Sequence, residues 1–212
     1  MRRSLHVISV LIVLAALLSG CTSTAAPVAT ALPVPPIAPP TALPVATVPP
    51  ALPTAQPFAL TSSAFEADSL IPARYSCHGA NVSPPLAWSA PPAGTQSLAL
   101  VMEDPDAVKV VGSVWDHWLL FNLPADVLSV PEGVPQKSEL PDGSRQGQNS
   151  GRGLGYGGPC PPGGQTHGYR FTVYAVDTAL ALKSGATKAE ILHAIDGHIL
   201  AQAQLVGRYA SP

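Results

Sequence analysis

The chain opens on an apolar run, Val7 to Leu18, twelve residues interrupted only by Ser9 and preceded by Arg2 and Arg3. A bilayer-spanning helix needs about 20 apolar residues, so this run reads as the hydrophobic stretch of an export signal. From Thr22 to Pro57 the pattern loses all period: 11 of these 36 residues are proline, and most of the rest are Ala, Val, Thr and Leu. Proline removes amide donors and fixes φ, so the segment sustains neither helix nor sheet ladder and favours extended polyproline II. Strand-like patterning begins later. Ser97 to Met102 is a short apolar run ending in acids, and Val114 to Leu123 carries Trp115, Trp118, Leu119, Leu120 and Phe121. Tyr169 to Val176 is aromatic and β-branched, as buried strands prefer. Between them Ser83-Pro84-Pro85, Ala90-Pro91-Pro92 and Gly153 to Gly164 predict turns or loops. One helix is expected near the end: Thr187 and Glu190 have capping-box spacing, Ala189, Ile191, Leu192 and Ile195 form an apolar face, and Gly197 closes it. Beyond it, Gln202 and Gln204 alternate with Ala201, Ala203 and Leu205, the period of a final strand. Short strands without βαβ alternation predict a mainly β protein, an antiparallel sandwich with a C-terminal helix added.

Composition divides the chain at the same places. Lys, Arg, Asp and Glu are absent between Arg3 and Glu66, and every Phe, Trp and Tyr lies at or beyond Phe58. Only 58–212 can form a packed domain, and its 155 residues suffice for a sizeable core. Nine Lys and Arg against thirteen Asp and Glu give that domain a charge of −4 with no basic run, which argues against nucleic acid as a partner.

Leu18-Ser19-Gly20-Cys21 directly follows the apolar run and resembles the lipobox of bacterial lipoproteins. The expected organisation is a signal peptide over 1–20, a lipidated Cys21 with a tether over 21–57, and the domain over 58–212. A diacylglyceryl group supplies two acyl chains, and two hold a protein to a membrane where one is marginal. The expected location is therefore the extracytoplasmic face of a cell membrane, anchored but not spanning. Extended at about 3.1 Å per residue, the tether reaches on the order of 110 Å.

Candidate chemistry lies around three segments. Glu103-Asp104-Pro105-Asp106 ends the first apolar strand, and His117 lies within the second, between Asp116 and Trp118. His167 immediately precedes the Tyr169 strand and follows the loop Tyr156-Gly157-Gly158-Pro159-Cys160-Pro161-Pro162-Gly163-Gly164. A Gly-rich loop can bring backbone amides close to an anion, and two imidazoles beside it would add donors, with positive charge when protonated. A carboxylate nearby would orient the rings and raise their basicity.

These blocks resemble the phosphatidylethanolamine-binding protein family, in its bacterial and archaeal, Raf kinase inhibitor-like branch. Asp104-Pro105-Asp106-Ala107, Trp115-Asp116-His117-Trp118, and Tyr156 to Gly163 with His167 and Tyr169 follow the family's signature order. The similarity runs from Phe58 to Tyr209, including Ser83-Pro84-Pro85-Leu86 with Trp88. One departure is visible: Val108 stands where the family's motif has a proline. The resemblance implies a sandwich of two antiparallel sheets and a small pocket for phosphate-like anions, such as a phospholipid head group or a phosphorylated ligand. Its ligand-binding positions correspond to Asp104, His117, Tyr156, Gly157, Gly158, Cys160, His167 and Tyr169.

In such a pocket Asp104 would accept a hydrogen bond from a histidine and not face the anion, and the Tyr169 hydroxyl could donate to it. Binding without catalysis, metal or cofactor is the expectation. Three alternatives stand beside it: a protease-inhibitor or other protein-binding module, a hydrolase with Cys160 as nucleophile, and a metal site of Asp104, His117 and His167. With Cys21 lipidated, Cys77 and Cys160 remain, and both flank pocket-associated segments in the resemblance. A bridge between them would close a loop of about 80 residues, contributing on the order of 4 kcal/mol. His78, His193 and His198 read as surface or helix-end residues, and Trp88, Trp115 and Trp118 as core or pocket wall.

Overall fold

The computed structural model describes residues 57–212; the signal segment, Cys21 and the tether up to residue 56 lie outside the described residues. Eight strands and two α-helices follow in the order β1 (Leu60–Thr61), β2 (Leu86–Trp88), β3 (Ser97–Asp104), α1 (Val108–Val111), β4 (Trp115–Pro124), β5 (Ser129–Val130), β6 (Arg145–Gln146), β7 (Thr166–Val176), α2 (Lys188–Ile195) and β8 (Ile199–Ala210), with a 3-10 turn at Ala73–Tyr75. They form two antiparallel sheets, β1-β2-β5 and β6-β4-β3-β7-β8. None of the helices among the described residues is long and apolar enough to cross a membrane.

The period-two alternation of the long strands gives the larger sheet two apolar faces. Leu98, Leu100 and Met102 of β3, with Phe171, Val173 and Ala175 of β7, pack toward Leu60, Leu86, Trp88 and Val130 of the smaller sheet. On the other side Ala99 and Val101, with Leu119 and Phe121 of β4, meet Ile191 and Ile195 of α2. Burying such a side chain stabilises by about 1.5–3 kcal/mol, which holds both sheet and helix in place.

The capping box of α2 forms as expected, with Glu190 N donating to Thr187 Oγ1 and Thr187 N donating to Glu190 Oε2. Gly197, at φ 78°, follows the helix in the left-handed conformation. Two expected members of its apolar face differ: Ala189 and Leu192 are exposed, because the buried apolar contacts of the helix run through Ile191 and Ile195, with Ala194 beside them. The strand expected from Tyr169 begins earlier, at Thr166, so His167 lies inside β7. The two buried indoles have partners: Trp88 Nε1 donates to Val127 O and Trp118 Nε1 to Gln146 Oε1, both at 2.9 Å.

Candidate functional site

Antiparallel pairing sets the C-terminal end of β3 between the N-terminal ends of β4 and β7. Asp104 lies opposite Trp115, and Glu103 lies opposite both Asp116 and Arg170. Three polar segments far apart in sequence therefore meet at one end of the sheet. Between the Glu103–Asp116 and Met102–Trp118 pairs the register shifts, so His117 has no residue opposite it on β3. Such a bulge re-aims a side chain. Strict alternation would place His117 with Leu119 and Phe121 on the α2 side; instead its ring packs edge-on against Tyr169, centroids 5.2 Å apart, on the same side as Trp118.

A cavity of about 420 Å³ opens at this end of the sheet. Of the residues expected to bind a ligand, Asp104, His117, Tyr156, Gly157, Gly158, Cys160 and His167 line it. Tyr169 does not. It is fully buried behind His117, and its hydroxyl has no hydrogen-bond partner. Burial, and then the nearby Asp104 charge, push its phenol pKa up, so the group stays neutral.

Asp104 and His167 are buried together, His167 Nδ1 donating to Asp104 Oδ2 at 2.7 Å. The other Asp104 oxygen accepts from the Ala107 amide at 3.1 Å, and His167 Nε2 faces Gln165 Oε1 at 3.2 Å. The expected role of Asp104, orienting a histidine, matches this geometry. His117 Nδ1 instead donates to Gly157 O at 2.6 Å, which leaves Nε2 to the cavity. Burial holds its pKa below the ordinary value of 6.5, against the opposing pull of the Gly157 carbonyl and the Asp104 charge. At neutral pH the cavity therefore meets a neutral imidazole whose Nε2 accepts.

The Gly-rich loop differs from expectation in one respect. Two of its amides do not stand free for an anion: Gly157 N donates to His117 O and Gly158 N to Asn81 Oδ1, each at 2.8 Å. Gly158 is required by close approach, since a Cβ there would lie 2.3 Å from the Tyr75 carbonyl oxygen. The loop is thus a tightly docked wall. Tyr156 pins it from within, its hydroxyl donating to Tyr75 O at 2.6 Å and its ring packed edge-on against Trp118. Cys77 and Cys160 form a disulfide, Cα–Cα 5.5 Å, which ties the loop to the 77–81 turn. That bond also removes Cys160 as a nucleophile.

Several lining residues have no counterpart in the sequence-based expectation. Asn81 and Asn149 act as loop anchors, Asn149 Nδ2 donating to Gly155 O and its Oδ1 accepting from Gly153 N, both at 3.0 Å. Asn81 has φ 53°, a conformation asparagine tolerates, and its place shortly after Gly79 was the available signal. Asp116 both lines the cavity and pairs with Lys188 Nζ at 2.5 Å. Lys188 also donates to Glu103 Oε2 at 2.7 Å, and Arg170 pairs with the other Glu103 oxygen. Burial works to lower the Lys188 pKa, but Asp116 and Glu103 outweigh it and raise the net value. Among the described residues no three His, Cys, Asp or Glu side chains converge on a point that could hold a metal ion.

Residues 61–210 match the model of the phosphatidylethanolamine-binding protein family. A UPF0098 protein of Methanothermobacter thermautotrophicus is 49% identical over 150 residues, covering 71% of this chain and 97% of the relative. A Mycobacterium tuberculosis protein whose name describes it as a lipoprotein, LppC, is 43% identical over 151 residues, 71% of each chain. Among solved structures, the family homologue CT736 of Chlamydia trachomatis superposes with TM-score 0.67 at 40% identity, covering 74% of this chain and 99% of that one. Escherichia coli YbcL, described as a member of the mammalian family, gives TM-score 0.68 at 32% identity, covering 74% and 100%. With its two antiparallel sheets and this extent of similarity, the chain belongs to the phosphatidylethanolamine-binding protein family.

Proposed function

We propose that the cavity reversibly binds a phosphate-bearing head group or another small phosphate ester, without catalysis, and that the domain does so from a membrane anchor on the extracytoplasmic face. The observation that carries this reading is the convergence of His117, His167, Asp104 and Asp116 on one cavity, with His167 held by Asp104. A bare anion would meet Asp104 and Asp116 as well as the imidazoles. A zwitterion such as phosphoethanolamine satisfies both kinds of group, its phosphate toward the histidines and its ammonium toward a carboxylate. Charge-assisted hydrogen bonds of this kind are roughly twice as strong as neutral ones. Because His117 Nε2 is an acceptor when neutral, the phosphate binds together with one proton, on the ring or on the phosphate.

The lipobox-like Leu18-Ser19-Gly20-Cys21 and the lipoprotein name of the LppC relative support the anchor. The Cys77–Cys160 bridge belongs to an oxidising compartment and supports the extracytoplasmic face. A globomycin-sensitive mass shift of the full chain tests the anchor, and an unmodified Cys21 in the exported protein overturns it. Proton NMR titration of the histidines with phosphoethanolamine tests the site. Shifts at His117 and His167 are expected, and their absence at millimolar ligand overturns the reading.

A further inference from the structure

The Cys77–Cys160 bridge lies at the surface and not in the core. Both cysteines are exposed, and Cys160 lines the cavity, so a small thiol reaches the bond in the folded protein. Exposed disulfides are the labile ones, whereas buried structural bridges resist exchange.

The two sulfurs differ in their surroundings. His78 Nδ1 lies 3.5 Å from Cys77 Sγ. The His78 ring stacks on Tyr209, centroids 6.1 Å apart, and the Tyr209 hydroxyl lies 3.2 Å from the same nitrogen. Once protonated, this imidazole can donate to a Cys77 thiolate, and a histidine cation beside a cysteine lowers its thiol pKa. Cys160 stands between Pro159 and Pro161, neither of which has an amide to donate. In thiol–disulfide exchange the sulfur with the lower thiol pKa leaves faster. That sulfur is Cys77.

The bridge fastens the Gly-rich loop to the turn that carries Cys77. Three hydrogen bonds join the same two segments: Cys77 N donates to Pro159 O at 3.1 Å, Gly158 N to Asn81 Oδ1, and the Tyr156 hydroxyl to Tyr75 O. Each is of modest net worth, so the covalent link decides how firmly this cavity wall is held.

We infer that Cys77–Cys160 is a thiol-exchange site for a dithiol reductant, and that its reduction releases the 157–160 wall whatever ligand the cavity takes. One thiolate of the dithiol attacks Cys160 Sγ; the S–S bond breaks and its electron pair leaves on Cys77 Sγ beside His78. The second thiolate of the reductant then attacks its own sulfur in the mixed disulfide and expels the Cys160 thiolate. Both cysteines take up a proton. The reductant ends as a disulfide, and two electrons and two protons have passed to the protein.

The test uses the full chain in its oxidised form. Glutathione serves as a monothiol probe, with alkylation to quench and peptide mass mapping to locate the adduct; the expected mixed disulfide is at Cys160. Reduction by dithiothreitol should be first order in reagent and several-fold slower in His78→Ala. His78→Lys keeps a cation beside the sulfur and should restore most of the rate, while His193→Ala, an exposed histidine on α2, should match the native protein. After reduction, hydrogen exchange should quicken at the Gly157 and Gly158 amides and stay unchanged in β8. An adduct mainly at Cys77, or reduction no faster than global unfolding in the same buffer, overturns the exchange site. Equal rates in the native protein and His78→Ala, or no rescue by lysine, overturn the part given to His78. Unchanged exchange at the two glycines, or loss of protection throughout the domain, overturns release of the wall.

Discussion

His117 and Gly157 hold each other by two reciprocal hydrogen bonds: the imidazole Nδ1 donates to the Gly157 carbonyl at 2.6 Å, and the Gly157 amide donates to the His117 carbonyl at 2.8 Å. The pair fixes the histidine tautomer and ties the Gly-rich loop to β4 with the same two residues. It also sets the chemistry of the cavity, because the ring nitrogen left to a ligand is an acceptor at neutral pH.

The first prediction concerns pH. Burial lowers the folded His117 pKa below 6.5, so the unfolded chain takes up a proton that the folded chain resists. Stability from this group is fully present above that value and is lost as pH falls through it toward the lower folded value. His117→Phe should flatten the slope of stability against pH in that window, as measured by urea unfolding between pH 7.5 and 5.5. Binding runs the other way: phosphoethanolamine should bind more tightly at pH 6.5 than at 7.5, with uptake of close to one proton. A pH-independent affinity would contradict the proposed role of Nε2.

The second concerns Lys188. Its ammonium lies between Asp116 and Glu103 and compensates the Asp116 charge on the cavity wall. Lys188→Met should weaken phosphoethanolamine binding several-fold and increase its salt dependence. Lys188→Arg should restore most of the affinity, and so should Asp116→Asn in the Met background. A purely structural lysine would show neither the salt effect nor the second rescue.

Gly158→Ala should destabilise the domain by about 1–3 kcal/mol, because the new methyl meets the Tyr75 carbonyl and the Ser76 backbone, which are pinned by the loop bonds. Gly163→Ala, where the nearest atom is 3.5 Å away, serves as the near-neutral control in the same chemical-denaturation series.

The disulfide closes a segment with a sequence separation of 83 residues, and both cysteines are exposed. The cysteines should resist alkylation until reductant is added. Cys77→Ser with Cys160→Ser should cost about 4 kcal/mol of unfolding free energy in the chain-entropy account. Phosphoethanolamine binding should weaken as well, because the bridge holds one cavity wall to the 77–81 turn.

The long elements were legible because each carries a pattern of its own. β3, β4, β7 and β8 alternate or run apolar over eight to twelve residues, and α2 announces its start with Thr187 and Glu190. The smaller sheet was not legible strand by strand. β1 and β5 have two residues each and β2 three, so no period can develop, and they exist only through pairing with one another. Helix α1 was unexpected for a related reason: it is a single turn set by Asp104 and Gly112, with residues that do not favour helices. Most expected cavity residues came from the signature blocks of the family resemblance. Tyr169 was placed among them although it lies behind His117, since a residue list gives order and not depth.

The sequence by itself determined the division of the chain into an apolar N-terminal run, a proline-rich segment and one acidic region, because, Arg2 and Arg3 apart, charged and aromatic residues begin only at that region. It determined the mainly β class too, through alternation that depends on nearest neighbours along the chain. Only the tertiary structure decided how the polar groups are used. The bulge that turns His117 inward, the commitment of the Gly157 and Gly158 amides, and the placing of Lys188 behind Asp116 all depend on partners 13 or more residues away. Hydrogen bonding and close packing choose among those partners, and neither leaves a trace in the local pattern of the chain.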